Sequence, residues 1–111
     1  MPLTLKGAVE RELKWIMEGE RPSIIGEYKD EGSYHVFVSL YAPRNPIIKR
    51  LQEHGFVAAD EYVINDPKDG FARGFAVYIK NAGRFVVGVK VNLGHFVYVE
   101  VFARKKKKNN N

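Results

Sequence analysis

Cysteine is absent from this 111-residue chain. Its absence excludes disulfides, thiolate nucleophiles and cysteine-ligated metal, and points to a reducing, cytoplasmic compartment. No apolar run approaches the roughly 18 residues that a membrane-spanning helix requires, so no membrane partner is expected. No basic, apolar, small-residue succession opens the chain, so leader cleavage is not expected either. Histidine occurs at positions 35, 54 and 95 only, without metal-ligand spacing, and no metal or cofactor is predicted. Threonine and glutamine occur once each beside eleven Lys and nine Glu, a charged composition like that of heat-adapted, hyperthermophilic proteins, which seven Asn dilute.

Positive charge is present in excess, and it is localised. The formal net charge is +5, of which Arg104 and Lys105, Lys106, Lys107 and Lys108 supply five positive charges; residues 1–103 carry thirteen basic and thirteen acidic side chains. Attraction to a polyanion must therefore use the C-terminal end, or an uneven spread of charge over the faces of a neutral body. The length suits one domain with a single core. We expect that domain over residues 1–104 and a disordered basic and polar tail over 105–111, where no apolar surface can be buried.

Leu5, Val9, Leu13 and Ile16 recur at helical spacing, with Ala8 and Met17 beside them and Lys6, Glu10, Arg11, Lys14 and Glu18 turned away. This predicts an amphipathic helix starting near Thr4 and ending by Gly19, with Trp15 covering the edge of the core. Residues 23–29 and 33–41 read as strands joined through Asp30-Glu31-Gly32, in a register that sets Glu27 opposite His35 and Ile24 opposite Val38. Asn45 and Pro46 suit the start of a second helix that presents Ile47, Ile48 and Leu51 inward and ends before Gly55. Residues 56–65 read as a strand whose alternation breaks at Ala58, Ala59 and Asp60, where a bulge is expected. Asp66-Pro67-Lys68-Asp69-Gly70 is a turn leading into a C-terminal meander.

Within that meander, Asn81-Ala82-Gly83 and Asn92-Leu93-Gly94 separate three alternating runs rich in Val, Phe and Tyr. Three-residue hairpin loops at both sites would pair Lys80 with Arg84 and Val91 with His95. One face would then carry Phe75, Val77, Ile79, Phe85, Val87, Val89, Val91, Val97, Val99 and Val101. The other would carry Ala76, Tyr78, Lys80, Arg84, Val86, Gly88, Lys90, Phe96, Tyr98, Glu100, Phe102 and Arg104. The order of elements, α-β-β-α-β-β-β-β, predicts an α+β fold: two helices on one face of a mostly antiparallel sheet of about six strands, with the other face open.

The mixed face is the candidate site. Tyr78, Phe96, Tyr98 and Phe102 offer rings on which unpaired bases stack, while Lys80, Arg84, Lys90, Arg104 and Lys105 to Lys108 attract phosphates. The expectation is a small non-catalytic protein that binds DNA or RNA. The alternative is a homodimer or other interaction module that buries the same aromatics. Two further clusters carry less. Glu27 beside His35, with Ser39 and Tyr41 near, has the residue types of a tuned general base but no nucleophile in an oxyanion-hole context. Asp60, Glu61, Asp66 and Asp69 lack the register of a calcium loop.

The segment Gly7-Ala8-Val9-Glu10-Arg11-Glu12-Leu13 resembles the first helix of archaeal Holliday-junction resolvases. That resemblance implies a metal-dependent nuclease with a glutamate of this helix in its site. Those nucleases also carry, on a strand, an acid followed two residues later by lysine; here Glu100 is followed by Val101 and Phe102, and Gly88 stands two residues before Lys90.

Overall fold

The computed structural model describes residues 4–18, 23–40, 44–59, 62–65, 72–92 and 97–106. Chain order is α1 (Leu5–Ile16), β1 (Ser23–Lys29), β2 (Ser33–Leu40), α2 (Arg44–Glu53), β3 (Val57–Ala58), β4 (Tyr62–Asn65), β5 (Ala72–Ala82), β6 (Phe85–Asn92) and β7 (Val97–Lys105). Every pairing is antiparallel, in the spatial order β1-β2-β7-β6-β5-β3, with β4 also on β5. This is the expected α+β fold of two helices and six strand positions. The sheet closes its long-range topology by docking the N-terminal hairpin on the last strand, so β7 lies between β2 and β6.

Helix α1 forms where the apolar stripe predicts it. The Thr4 side chain caps its start by accepting from the Gly7 N–H at 2.9 Å. Ala8, Val9, Leu13 and Ile16 are buried, while Lys6, Glu10, Arg11, Lys14 and Glu18 are exposed. Helix α2 starts at Arg44, a residue ahead of the expected Asn45 cap, and buries Ile47 and Leu51. Its end is set by Gly55 at φ 88°, with the Phe56 N–H reaching back to the Leu51 carbonyl at 3.0 Å. Both helices cover the same sheet face, whose core comprises Tyr34, Val36, Val38 and Leu40 of β2, Phe85, Val87, Val89 and Val91 of β6, and Val99, Val101 and Ala103 of β7.

Three registers differ from expectation. The β5–β6 hairpin pairs Ala82 with Phe85, leaving a two-residue turn of Gly83 and Arg84 in place of a three-residue loop. Gly83 takes φ 66°, and no described non-glycine residue has positive φ, which meets the glycine-first requirement of a type II′ turn. Such a turn matches strand twist and adds Asn81 and Ala82 to the ladder. The pairing moves by an odd number of residues, so the faces of β5 exchange: Ala76, Tyr78, Lys80 and Ala82 point to the helices, and Val77 and Ile79 lie on the open face. The β6–β7 pairing, Val91 with Val99, moves by an even number, so the faces of β7 stay as expected. The β1–β2 hairpin turns one residue late, pairing Lys29 with Tyr34, so Tyr28, not Glu27, stands opposite His35, and an irregularity between Ile24 and Gly26 restores the expected pairing of Ile24 with Val38.

Residues 56–65, expected as one strand, give the two strands β3 and β4, and Asp60, where the expected bulge would fall, lies outside the described residues. Val57–Ala58 and Tyr62–Asn65 pair with β5 in registers one residue apart. At the other end the sheet runs further than expected. Lys105 belongs to β7, its N–H donating to the Gly32 carbonyl at 3.3 Å, and the Lys106 N–H donates to Arg84 at 3.2 Å. Strand β7 thus runs to Lys105, past the boundary placed at 104, and 107–111 lie outside the described residues. Gly19 and the 66–70 turn lie outside them as well. No helix among the described residues is long and apolar enough to cross a membrane.

Candidate functional site

The β5 exchange removes two residues from the candidate surface. Tyr78 is buried in the core beneath the helices. Lys80 crosses to α1, where its ammonium bonds both carboxylate oxygens of Glu12, to Oε2 at 3.1 Å, and the His54 carbonyl at 3.1 Å. Glu12 is only 3% exposed and is the single charged residue in the described core. Trp15 closes this corner: its ring stacks on His54 with centroids 3.9 Å apart, and Arg50 lies over it and donates to its carbonyl. Neither Tyr78 nor Lys80 meets an external ligand in this arrangement, which corrects their assignment to the binding face.

Phe102 does lie on the open face, but it is spent internally. Gly88 stands directly opposite it, and the ring covers the space a side chain would occupy there. The ring is 8% exposed, with His35 stacked beside it at 5.5 Å and the Lys90 ammonium 5.5 Å from its centroid. Tyr28 extends this row beyond His35, with ring centroids 5.7 Å apart. Four adjacent strands thus contribute Tyr28, His35, Phe102 and Lys90 to one polarised band. Phe102 supports that band and is not a free stacking platform.

Tyr98 remains open, at 46% exposed, beside a groove of about 290 Å³ lined by Ile25, Phe37, Asn92 and Glu100. Ile25 and Tyr28 on β1 are more exposed still. Phe96 lies outside the described residues. Lys90 is half-buried and shares Glu100 Oε2 at 3.6 Å.

Cations converge at the far end of the sheet. Arg104 sits opposite Val86 and Ser33 on the open face, Lys105 follows on the helix side, and the Lys106 backbone is tied to the exposed turn residue Arg84. Lys29, Asp30 and Glu31 of the β1–β2 hairpin are the neighbouring charges, lining with Lys105 a pocket of about 470 Å³ at the start of α1. Asp30 is inwardly engaged: the Gly32 N–H, the Ser33 hydroxyl and the Ser33 N–H hold its carboxyl below the ordinary carboxylate range. The sequence continues this basic end with Lys107 and Lys108, which lie outside the described residues.

The expected Glu27 and His35 pair does not form. Glu27 accepts from the Tyr34 hydroxyl, and that bond, with burial, pushes the Tyr34 phenol up to about 12. His35 instead places Nδ1 2.8 Å from Glu100 and Nε2 2.8 Å from Ser33 Oγ. No group of three His, Asp or Glu able to hold a metal occurs among the described residues; Asp60, Glu61, Asp66 and Asp69 lie outside them. A scan against protein-family models matches none, and searches of curated proteins and of solved structures return no match.

Proposed function

We propose that this chain binds nucleic acid along the open sheet face, with the phosphate backbone drawn to the basic end and an unpaired base stacked on Tyr98. The observation that carries the reading is the convergence of Arg84, Arg104, Lys105 and Lys106 where β7 emerges between two hairpins. Arg104 and Tyr98 share a face of one strand six residues apart, about 20 Å at the usual rise, a span that favours an extended strand over a point ligand. Single-stranded DNA or RNA fits because an unpaired base exposes the π-face that Tyr98 would meet.

Fluorescence anisotropy with a single-stranded oligonucleotide at two salt concentrations, repeated with heparin as competitor, tests this. Tyr98→Ala is expected to weaken oligonucleotide binding by about 1–3 kcal/mol and leave heparin unaffected. Arg84→Ala and Arg104→Ala are expected to flatten the salt slope for both ligands. Equal effects of Tyr98→Ala on both ligands, or none on either, would eliminate stacking.

A second reading has its own observation. Ile24, Ile25, Tyr28 and Tyr98 are four of the five exposed large apolar residues described, and all lie on β1 or beside the groove it borders. Pairing through the β1 edge with a second copy would cover them. A single monomeric mass by light scattering at high micromolar concentration excludes that reading and leaves the nucleic-acid reading in place.

A further inference from the structure

The geometry points to a nucleophile, base and orienting acid on the open face, in which Ser33, His35 and Glu100 cleave small carboxylic esters. Two of the three are neighbours on β2, and the third arrives from β7. Ser33 and His35 are separated by one residue on a strand, so their side chains share a face. Glu100 lies two positions from Phe102, the direct partner of His35, and on the same face. His35 Nε2 is 2.8 Å from Ser33 Oγ, and His35 Nδ1 is 2.8 Å from Glu100 Oε2. These are the contacts by which a base takes a hydroxyl proton while a carboxylate holds the ring in the required tautomer.

Hydrogen-bond direction supports the assignment. A carboxylate only accepts, so Nδ1 carries the hydrogen shared with Glu100. In the neutral ring Nε2 is then an acceptor, and the partner within reach that can donate to it is the Ser33 hydroxyl. In the resting arrangement the Ser33 hydroxyl donates to Asp30 Oδ1 at 2.9 Å, an oxygen that also receives the Gly32 and Ser33 N–H groups at 2.9 and 2.7 Å, and the hydroxyl proton turns to Nε2 once Asp30 leaves. Those two N–H groups converge on an anionic oxygen next to Oγ, which is what an oxyanion requires. Asp30 is exposed, so its carboxylate can swing out as the carbonyl oxygen of a substrate takes its place. The rings of Phe102 and Tyr28 flank His35 and favour an apolar or aromatic acyl ester.

The chemistry balances without a further reactant. Ser33 Oγ bonds to the carbonyl carbon as its proton passes to His35 Nε2, and the carbonyl electron pair moves onto oxygen. Collapse breaks the bond to the alkoxy oxygen, which leaves with the proton from Nε2. Water then attacks the acyl-serine by the same route, restoring the hydroxyl and releasing the acid. His35 and Ser33 are catalytic residues in this scheme, and Glu100 is a positioning residue.

Two measurements on the full chain decide it: mass spectrometry after exposure to a fluorophosphonate, and hydrolysis of p-nitrophenyl acetate. The expected results are a single adduct on Ser33 and turnover above the buffer rate. Ser33→Ala, which deletes one oxygen and leaves both backbone bonds to Asp30, abolishes both. His35→Gln lowers turnover by about 100-fold or more. Glu100→Gln lowers kcat with the folded fraction unchanged by circular dichroism, and Glu100→Asp recovers part of it, a pattern that loss of structure alone would not produce. No adduct on Ser33, or unchanged hydrolysis in folded Ser33→Ala, overturns the proposal.

Discussion

Lys80→Met is expected to lose about 3–5 kcal/mol of unfolding free energy, because it leaves the Glu12 carboxylate buried without its cation. The magnitude follows from burial. Glu12 is enclosed between α1 and the sheet, and its other polar contact is a 3.5 Å approach from the Trp15 indole. Methionine replaces the aliphatic stem of lysine, so the loss reports the charge and its hydrogen bonds more than packing. Adding Glu12→Gln to Lys80→Met removes the stranded charge and should recover a large part of the loss, giving a strong coupling in a double-mutant cycle. As a control, Lys90→Met acts on a more exposed ion pair and should cost no more than about 1 kcal/mol. Urea unfolding of Lys80→Met, Glu12→Gln, their double variant and Lys90→Met checks this. Equal small costs at Lys80 and Lys90 would contradict the β5 register and return Lys80 to the open face.

Gly88→Ala is the second large effect, and its sign is informative. A methyl group on a strand glycine ordinarily stabilises by about 0.5–1 kcal/mol, because alanine loses less backbone freedom on folding. Here the new Cβ would overlap Phe102 Cζ and Cε1, so the ring must leave its place between His35 and Lys90. Overpacking of this kind costs about 1–3 kcal/mol, which outweighs the backbone gain. In a Phe102→Leu background the obstruction shrinks, and the alanine substitution should become neutral or stabilising. Thermal unfolding of both pairs measures the reversal. A stabilising Gly88→Ala in the wild-type background would show that the ring does not cover Gly88.

These two sites also mark where sequence reasoning was sufficient and where it stopped. Local periodicity made α1 legible, because Leu5, Val9, Leu13 and Ile16 agree on one stripe, and the Thr4 cap and Gly55 termination follow from short-range chemistry. The alternation of Val87, Val89, Val91, Val99 and Val101 likewise identified the buried face of β6 and β7. The same preference for a wholly apolar face misassigned β5. It favoured Val77 and Ile79 inward, whereas the type II′ turn at Gly83 turns Tyr78 and Lys80 inward. Lys80 tolerates that placement because Glu12, a carboxylate on the apolar side of α1, meets it there from 68 residues away.

The candidate site divides along the same line. Tyr98, Arg104 and Arg84 were readable as exposed aromatic and basic positions, since a turn and a strand parity settle them. The Ser33, His35 and Glu100 contacts were not. They depend on β2 lying against β7, a pairing 65 residues apart that no local pattern specifies. The one-residue slip at the β1–β2 turn also moved Glu27 away from His35 and brought Tyr28 to it. A serine two residues before a histidine on a predicted strand was the available signal, and it carried meaning only once a carboxylate stood on the facing strand.

The most direct measurement is a titration of uniformly ¹⁵N-labelled protein with a single-stranded oligonucleotide, read residue by residue from amide chemical shifts. Binding along the open face predicts the largest changes at Tyr98, Arg104, Lys105, Lys106 and the Arg84 turn. Ala8, Val9 and Leu13 of α1, on the covered face, should stay fixed. Changes centred on α1, or no changes at any residue, would contradict the account.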